Sequence, residues 1–125
     1  MESDLLLINL SNHPACQWPA GQAAAAQVYG RLIDLPFPDV NPDGDEQYIA
    51  TLAGEYLHKV QVLTPAGTTA TVHLMGEMNF TYALVRLLRQ CGIQCIASTT
   101  RRVVEILPDG RKAVGFEFVK FRRYE

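Results

Sequence analysis

The order of apolar and polar residues predicts strands that alternate with helices along the chain. Residues 5–10 form an almost wholly apolar run, which is typical of a strand buried on both faces of a sheet. Shorter apolar runs at residues 32–35, 70–75 and 94–97 predict three further strands. Segments long enough for helices separate these four runs.

The first two of these segments have helical patterns. Residues 17–29 are rich in alanine, and they predict a helix with Pro19 in its first turn and Gly30 as its stop. Residues 49–60 place apolar side chains at steps of three and four, which indicates a second amphipathic helix. The acids within residues 43–46 predict the cap of that helix.

The third helix is the best defined by its pattern. Residues 80–91 carry one apolar stripe, and Gly92 followed by an apolar residue is typical of a Schellman ending. Gly76 ends the preceding strand and indicates a tight backbone turn. Glu77 and Asn79 form a short polar step before the helix, which is either an ordinary loop with Asn79 as the N-cap or part of a site.

The alternation of strand and helix patterns ends after residue 97. Residues 102–107 and 113–121 are two strand-like segments around a Pro-Asp-Gly turn, so they predict a β-hairpin. Three strand–helix units before it predict right-handed crossovers. We therefore expect residues 1–125 to form one α/β domain that is Rossmann-like. It would have a mostly parallel sheet, helices on both faces and a C-terminal antiparallel hairpin, with the strand order left open.

Composition supports a single globular domain. The 125 residues are 48 % hydrophobic and 19 % charged, and no apolar run approaches the roughly 20 residues of a membrane helix. The acids of the first four residues are unlike a secretion signal, so we expect a cytoplasmic protein without a membrane partner. The three cysteines are odd in number and scattered, which indicates reduced, mostly buried thiols and no metal site.

Charge is distributed unevenly along the chain. Residues 1–98 hold four basic and nine acidic side chains, whereas residues 99–125 hold seven basic and four acidic ones. The acidic body argues against binding long nucleic acids, and the basic end leaves room for a small anionic ligand.

Polar segments follow each of the predicted parallel strands. Ligands of open parallel sheets bind beyond the carboxyl ends of the strands, so we expect these segments to share one edge. They are Ser11, Asn12 and His13; Asp34; Gly76, Glu77, Met78 and Asn79; and Ser98, Thr99, Thr100, Arg101 and Arg102.

The chemistry of these residues is open to more than one interpretation. The hydroxyls and guanidinium groups of residues 98–102 are suited to phosphate oxygens, or they form a solvated turn. Glu77 is suited to a ribose hydroxyl, a base amine or general-base work, or it caps the helix. His13 is a proton shuttle, a hydrogen-bond donor to phosphate or a plain loop residue. We expect His73 to be packed in its strand and Trp18 to be a buried anchor.

Common catalytic and nucleotide-binding motifs are absent from the sequence. There is no G-x-G-x-x-G after the first strand, no G-x-x-x-x-G-K-[ST] and no G-x-S-x-G. Their absence argues against dehydrogenases, P-loop NTPases and α/β-hydrolases. The aromatic and basic residues 116–124 are compatible with RNA contact or with packing against a partner subunit.

Taken together, several segments resemble one known group of proteins, the small single-domain Csx-type accessory proteins of type III CRISPR systems. The similarity spans nearly the whole chain and rests on LLLINLSNHP, DLPFP, VHLMGEMNFTYALVRLL, IQCIASTTRRVVE and FEFVKFRRY. The resemblance implies a CARF-like domain that binds cyclic oligoadenylate, with cyclic tetra-adenylate as the expected ring. It also implies that the protein lowers the level of this second messenger by holding it or by cutting it slowly.

The resemblance further implies a homodimer, which ligand binding could extend into a higher assembly. The ring would lie across the dimer, with no cofactor and no metal. The ligand-binding residues that the resemblance implies are Ser11, Asn12, His13, Gly76, Glu77, Ser98, Thr99, Thr100 and Arg101. Asn79 and Arg102, from the same polar segments, complete the predicted ligand-binding set. The candidate catalytic residues are His13, Glu77 and Arg101. Two alternatives remain, an efficient metal-independent ring nuclease and a protein-interaction module that docks through its C-terminal hairpin.

Overall fold

Residues 4–125 are described by a computed structural model, which contains five strands and three α-helices. In chain order these elements are β1 (Asp4–Ser11), α1 (Ala20–Ala26), β2 (Arg31–Asp34), α2 (Glu46–Leu63), β3 (Thr68–Met75), α3 (Met78–Gln90), β4 (Gln94–Ile106) and β5 (Lys112–Arg123). The predicted alternation of strands and helices is confirmed as far as the beginning of β4, but the structure has five strands where the sequence predicts six. Among these elements no helix combines the length and the apolar character needed to span a membrane.

The five strands form one mixed sheet with the order β2-β1-β3-β4-β5. β1 pairs in parallel with β2 and with β3, and β3 pairs in parallel with the start of β4. β5 runs antiparallel to β4 along almost the whole length of both strands. The chain is thus an α/β protein whose mostly parallel sheet ends in an antiparallel hairpin, as the sequence predicts.

Alternate residues of the central strands face two separate cores. Leu6, Ile8 and Leu10 of β1 pack with α2 and α3 on one face of the sheet. Leu7 of β1 packs with Trp18 and with α1 on the other face. Helices therefore cover both faces, but a single short helix covers the second one. That face is where polar side chains gather.

The first helix is shorter than its alanine-rich pattern predicts. α1 covers seven residues only, and 3₁₀ turns at Ala15–Gln17 and Gln27–Tyr29 flank it. The sequence predicts Pro19 in the first turn of this helix. In the structure Pro19 is instead the N-cap of α1, one residue before that turn. The predicted stop is correct, because Gly30 follows the last 3₁₀ turn.

The beginning of α3 differs from the prediction, while its end agrees with it. Glu77, not Asn79, is the N-cap, and its side chain accepts a hydrogen bond from the backbone N–H of Phe80. At the other end Gly92 has a φ of 76°, and the N–H of Ile93 donates to the carbonyl of Leu88 at 2.9 Å. These bonds are those of the Schellman ending that the sequence predicts.

The largest difference concerns residues 98–102, which we had predicted to be a polar segment beyond a strand end. They lie inside β4, a single strand of thirteen residues that joins the predicted strands 94–97 and 102–107. β4 pairs with β3 only at Gln94–Ile96, and β5 supplies the backbone partners of the rest. The polar sequence reads as a loop because this part of the strand leaves the core, so its side chains no longer alternate between buried and exposed.

Candidate functional site

A cleft of about 510 Å³ opens on the face of the sheet that α1 covers. It lies at the carboxyl ends of β1 and β3, where Ser11 and Gly76 mark its floor. Six of the predicted ligand-binding residues line it, namely Ser11, Asn12, His13, Gly76, Ser98 and Thr100. Its other walls are Gln17, Trp18, Pro19, Gln22, His73, Met75, Phe116 and Phe118. We call this hollow the α1-side cleft.

A continuous chain of hydrogen bonds runs beneath the cleft. Asn9 Nδ2 donates to Asp34 Oδ1 at 2.9 Å, and Asn9 Oδ1 lies 2.9 Å from His73 Nδ1. His73 Nε2 lies 2.8 Å from Ser98 Oγ, which also accepts a hydrogen bond from Gln22 Nε2 at 3.1 Å. The chain thus links β2, β1, β3, β4 and α1, which are far apart in the sequence.

The partners in this chain determine where each proton lies. Asn9 Oδ1 can only accept, so His73 Nδ1 must carry the ring proton and donate it. His73 Nε2 is then the acceptor, and the Ser98 hydroxyl must donate to it. Ser98 Oγ keeps its lone pairs for Gln22 and for a ligand in the cleft.

Burial keeps the His73 ring neutral. The residue is 2 % exposed, and desolvation lowers its pKa from 6.5 to about 4. Trp18 and Phe121 pack edge-on against the ring, with centroid distances of 5.1 and 5.6 Å. A neutral imidazole is the form that can accept a proton from Ser98 at neutral pH.

The loop after β1 is held by the same polar core. The carbonyl of His13 accepts hydrogen bonds from Asn9 Nδ2 at 2.8 Å and from Trp18 Nε1 at 3.1 Å. Ser11 Oγ donates to Asn9 Oδ1 at 2.8 Å. The backbone of the loop is therefore fixed, while the His13 side chain is exposed at the cleft.

Gly76 leaves room for the aromatic ring of Phe37. The backbone bends at Gly76 between β3 and α3, as the sequence predicts, but without a positive φ. A Cβ at this position would collide with the ring of Phe37. The close approach of this ring to the backbone packs the segment after β2 against the end of β3.

Five of the predicted site residues do not line the cleft. The Glu77 carboxylate is engaged at the start of α3, where Oε1 accepts from Phe80 N at 3.0 Å. Asn79 lines a separate hollow near Asp45. Thr99 Oγ1 is hydrogen-bonded to the backbone of Lys120 in β5. The remaining two are Arg101 and Arg102, which are exposed on β4.

The two arginines face opposite sides of the sheet, because side chains alternate along a strand. Arg102 lies opposite Phe116 in the ladder, so it shares the face of the α1-side cleft. Arg101 pairs with Glu117 and shares the other face. Of the two guanidinium groups, only that of Arg102 is on the side from which a ligand would enter.

Sequence reasoning missed the central part of the site. The apolar run places Asn9 in a buried strand without assigning it a role, and the pattern predicts only that His73 is packed. A signal was present, because Asn9 and Ser11 are polar alternate residues of an otherwise apolar run. Two-residue spacing puts such side chains on one face, which predicts a polar patch on that face of the sheet.

Cysteines and acids do not form a metal site in the part of the chain that the structure describes. Over residues 4–125 no three His, Cys, Asp or Glu side chains come together closely enough to hold a metal ion. Cys16 and Cys91 are exposed, which corrects the expectation of mostly buried thiols. Cys95 is buried, and this burial raises the pKa of its thiol to about 11.

The comparison with known families covers almost the whole fold. The model of the family described as uncharacterized protein MJ1673 matches residues 6–122. The chain belongs to this family. The matched range includes every residue that lines the α1-side cleft and every member of the hydrogen-bonded chain beneath it. No curated protein and no solved structure matches the chain.

Proposed function

We propose that this protein binds a cyclic oligoadenylate, with cyclic tetra-adenylate as the expected ring, and attenuates type III CRISPR signalling by sequestering it. One observation carries the proposal. Six residues that the sequence marks as ligand-binding meet in the α1-side cleft, although they come from three separate segments of the chain.

The sheet supports a Rossmann-like, CARF-like assignment as part of this proposal. Doubly wound sheets of order 2-1-3-4-5 bind nucleotides beside the first and third strands, where the strand order reverses. The α1-side cleft has this position, at the carboxyl ends of β1 and β3. β5 departs from the fully parallel pattern because it returns as the second strand of a hairpin.

The walls of the cleft suit the parts of a nucleotide. Phe116 and Phe118 offer aromatic faces, which stack on bases whatever their sequence. Asn12 and Thr100 offer hydrogen-bond donors to ribose or phosphate oxygens. Arg102, on the same face, offers a charge-assisted bond to phosphate.

The size of the cleft favours two protomers for each ring. A hollow of about 510 Å³ is typical of a site for one drug-sized ligand, whereas a ring of four nucleotides is larger. Two clefts related by a two-fold axis would present each contact twice to a ring that has the same symmetry. The proposal therefore includes a homodimer.

Sequestration is the better-supported activity. Of the three candidate catalytic residues, Glu77 caps α3 and Arg101 faces away from the cleft. Only His13 lines the cleft, so the alternative of an efficient ring nuclease rests on a single exposed imidazole among the predicted residues.

Arg102 and Arg101 form a matched pair for testing the site. We expect Arg102→Ala to weaken binding of cyclic tetra-adenylate by about 10- to 100-fold, since a hydrogen bond to a charged group contributes about 1.5–3 kcal/mol. Arg101→Ala removes the same charge from the other face, and we expect it to change the affinity by less than about threefold. Isothermal titration calorimetry at two salt concentrations measures the affinity of each variant for cyclic tetra-adenylate. Equal effects of the two substitutions would mean that the ligand does not enter this cleft.

Incubation with radiolabelled cyclic tetra-adenylate separates holding from cutting. We expect a gel shift and an intact ring after prolonged incubation at high protein concentration. Linear product that disappears in His13→Ala, with binding retained, would favour the ring nuclease. Absence of a shift would contradict the proposed function.

A further inference from the structure

The hydrogen bonds beneath the cleft have the arrangement of a nucleophile, a base and an orienting group. Ser98 Oγ lies 2.8 Å from His73 Nε2, and His73 Nδ1 lies 2.9 Å from Asn9 Oδ1. We propose that Ser98 is a nucleophile activated by His73, and that the α1-side cleft hydrolyses esters with a planar, apolar alcohol group. The proposal goes beyond oligoadenylate binding and does not depend on it.

The proton positions required by this mechanism follow from the contacts. An amide oxygen cannot donate, so Asn9 holds His73 in the tautomer that has a free lone pair on Nε2. Asn9 cannot turn its amide, because its Nδ2 is bound to Asp34 and to the His13 carbonyl. The base is thus oriented by a rigid group, which is the feature that distinguishes an activated serine from a surface serine.

The solvent exposure of Asn9, His73 and Ser98 suits their proposed roles, because a nucleophile must be accessible while its base and orienting group are held in place. Asn9 and His73 are each 2 % exposed, whereas Ser98 is half-buried and lines the cleft. A substrate can therefore reach the Ser98 oxygen, while the His73 ring, which also borders the cleft, is almost wholly shielded from solvent. Gln22 Nε2 donates to Ser98 Oγ at 3.1 Å, so a side-chain hydrogen-bond donor lies next to the atom that would attack.

The remaining walls indicate the substrate class. Phe116 and Phe118 border the entrance, and Trp18 closes the inner side. Flat, apolar groups fit between aromatic rings. The cleft is therefore suited to an ester whose alcohol part is an aromatic ring.

The reaction balances with water as the second substrate. Ser98 Oγ forms a bond to the carbonyl carbon, and its proton passes to His73 Nε2. The bond from that carbon to the alcohol oxygen breaks, and the alcohol leaves with the proton from His73. Water then attacks the acyl carbon and gives a proton to His73, the bond from carbon to Ser98 Oγ breaks, and the proton returns to Ser98. The products are one alcohol and one carboxylic acid.

A fluorophosphonate probe and 4-nitrophenyl acetate test the proposal on the full chain. We expect the probe to form a bond from phosphorus to Ser98 Oγ with loss of fluoride, located by peptide mass spectrometry, and we expect acetate release above that of heat-denatured protein. Ser98→Ala should abolish the labelling. His73→Gln should slow labelling and ester cleavage by about 100-fold or more, which is the usual contribution of a general base.

Thr51→Ala is the matched control, because it removes an exposed hydroxyl on α2, away from the cleft. Circular dichroism reports whether each variant folds, and Ser98→Ala alone decides the outcome if His73→Gln does not fold. Unlabelled Ser98 in the folded parent protein would overturn the proposal, as would equal ester cleavage by Ser98→Ala. If labelling fails while cyclic tetra-adenylate still binds, the cleft is a binding site only. If Ser98 is labelled but the protein does not bind cyclic tetra-adenylate, the result supports Ser98 as a nucleophile and contradicts the proposed function.

Discussion

At the scale of single residues, the most distinctive feature is the chain of hydrogen bonds beneath the α1-side cleft. Asn9, His73 and Ser98 lie on one side of the sheet, where hydrogen bonds join them. They share this side because side chains alternate along each strand, and the strand register aligns these three positions. A buried polar group is tolerated only when its hydrogen bonds are made, and here every member has a partner. The neutral state of His73 is a consequence of the same burial.

The stability of the protein should depend on pH through His73. Its pKa of about 4 in the folded protein lies below the 6.5 of the unfolded chain, so the unfolded chain binds the extra proton between these values. The contribution is fully present above about pH 6.5 and is lost as the pH falls towards 4. We expect a loss of about 3 kcal/mol in the free energy of unfolding over this range.

Urea unfolding of the parent protein and of His73→Gln from pH 7 to pH 4 measures this contribution. Both proteins keep Asp34 and His13, the titratable groups next to this network, so the difference between the two curves isolates His73. Parallel curves would show that the imidazole does not titrate in this way.

At the scale of elements, the ends of α3 and the length of β4 decide which predicted residues reach the cleft. Glu77 is drawn into capping because its carboxylate reaches the first turn of α3. β4 continues past Ser98 because β5 pairs with it as far as Ile106. The cap explains why Gly76 lines the cleft while its neighbour Glu77 does not.

Glu77→Ala should lower stability without affecting the cleft. Loss of an N-cap costs about 0.5–2 kcal/mol, and we expect a decrease of about 1 kcal/mol in urea unfolding. Glu77→Asp keeps a capping carboxylate and should restore most of this loss. If Glu77→Ala instead changes the affinity for cyclic tetra-adenylate tenfold in a fully folded protein, then Glu77 contacts the ligand.

At the scale of the whole molecule, the distal part of the hairpin leaves an apolar face uncovered. Val104, Ile106, Val114 and Phe116 are between 45 and 72 % exposed and share the face of the α1-side cleft. By contrast, Phe121 packs on Trp18, and the Tyr124 hydroxyl donates to the Leu74 carbonyl at 2.6 Å. The tail is therefore partly core, and removing residues 116–125 would damage the fold.

We expect a second copy of the chain to cover this apolar face. Residues 99–125 carry a net charge of +3, whereas residues 1–98 carry −5, so the hairpin of one copy and the body of another attract each other. Ile106→Asp should weaken dimerisation by about tenfold or more in sedimentation equilibrium. Val62→Asp is the matched control, because Val62 is 69 % exposed on α2. A parent protein that stays monomeric at high concentration would contradict the expectation.

Much of the fold was predictable from local sequence. The apolar run of β1, the stripe of α3 and the Gly92 ending each depend on residues within one turn or one strand. Prediction failed where the partner lies elsewhere, as for residues 98–102, whose strand conformation depends on β5. Ser11, Asn12, His13 and Gly76 were predictable because carboxyl ends of parallel strands share an edge. Ser98 and Thr100 reach the cleft from inside β4, and this placement, like the separation of Arg101 from Arg102, needed the observed strand.

The sequence by itself determined the alternation of strands and helices, which residues of each central strand share one face of the sheet, and the uneven distribution of charge. These features follow from periodicity and composition, which act over short distances along the chain. Only the tertiary structure decided that Asn9, His73 and Ser98 form one hydrogen-bonded chain under a cleft, since 64 residues separate the first pair and 25 the second. Such contacts depend on which strands are neighbours in the sheet, and strand order is set by packing of the whole core rather than by any single segment.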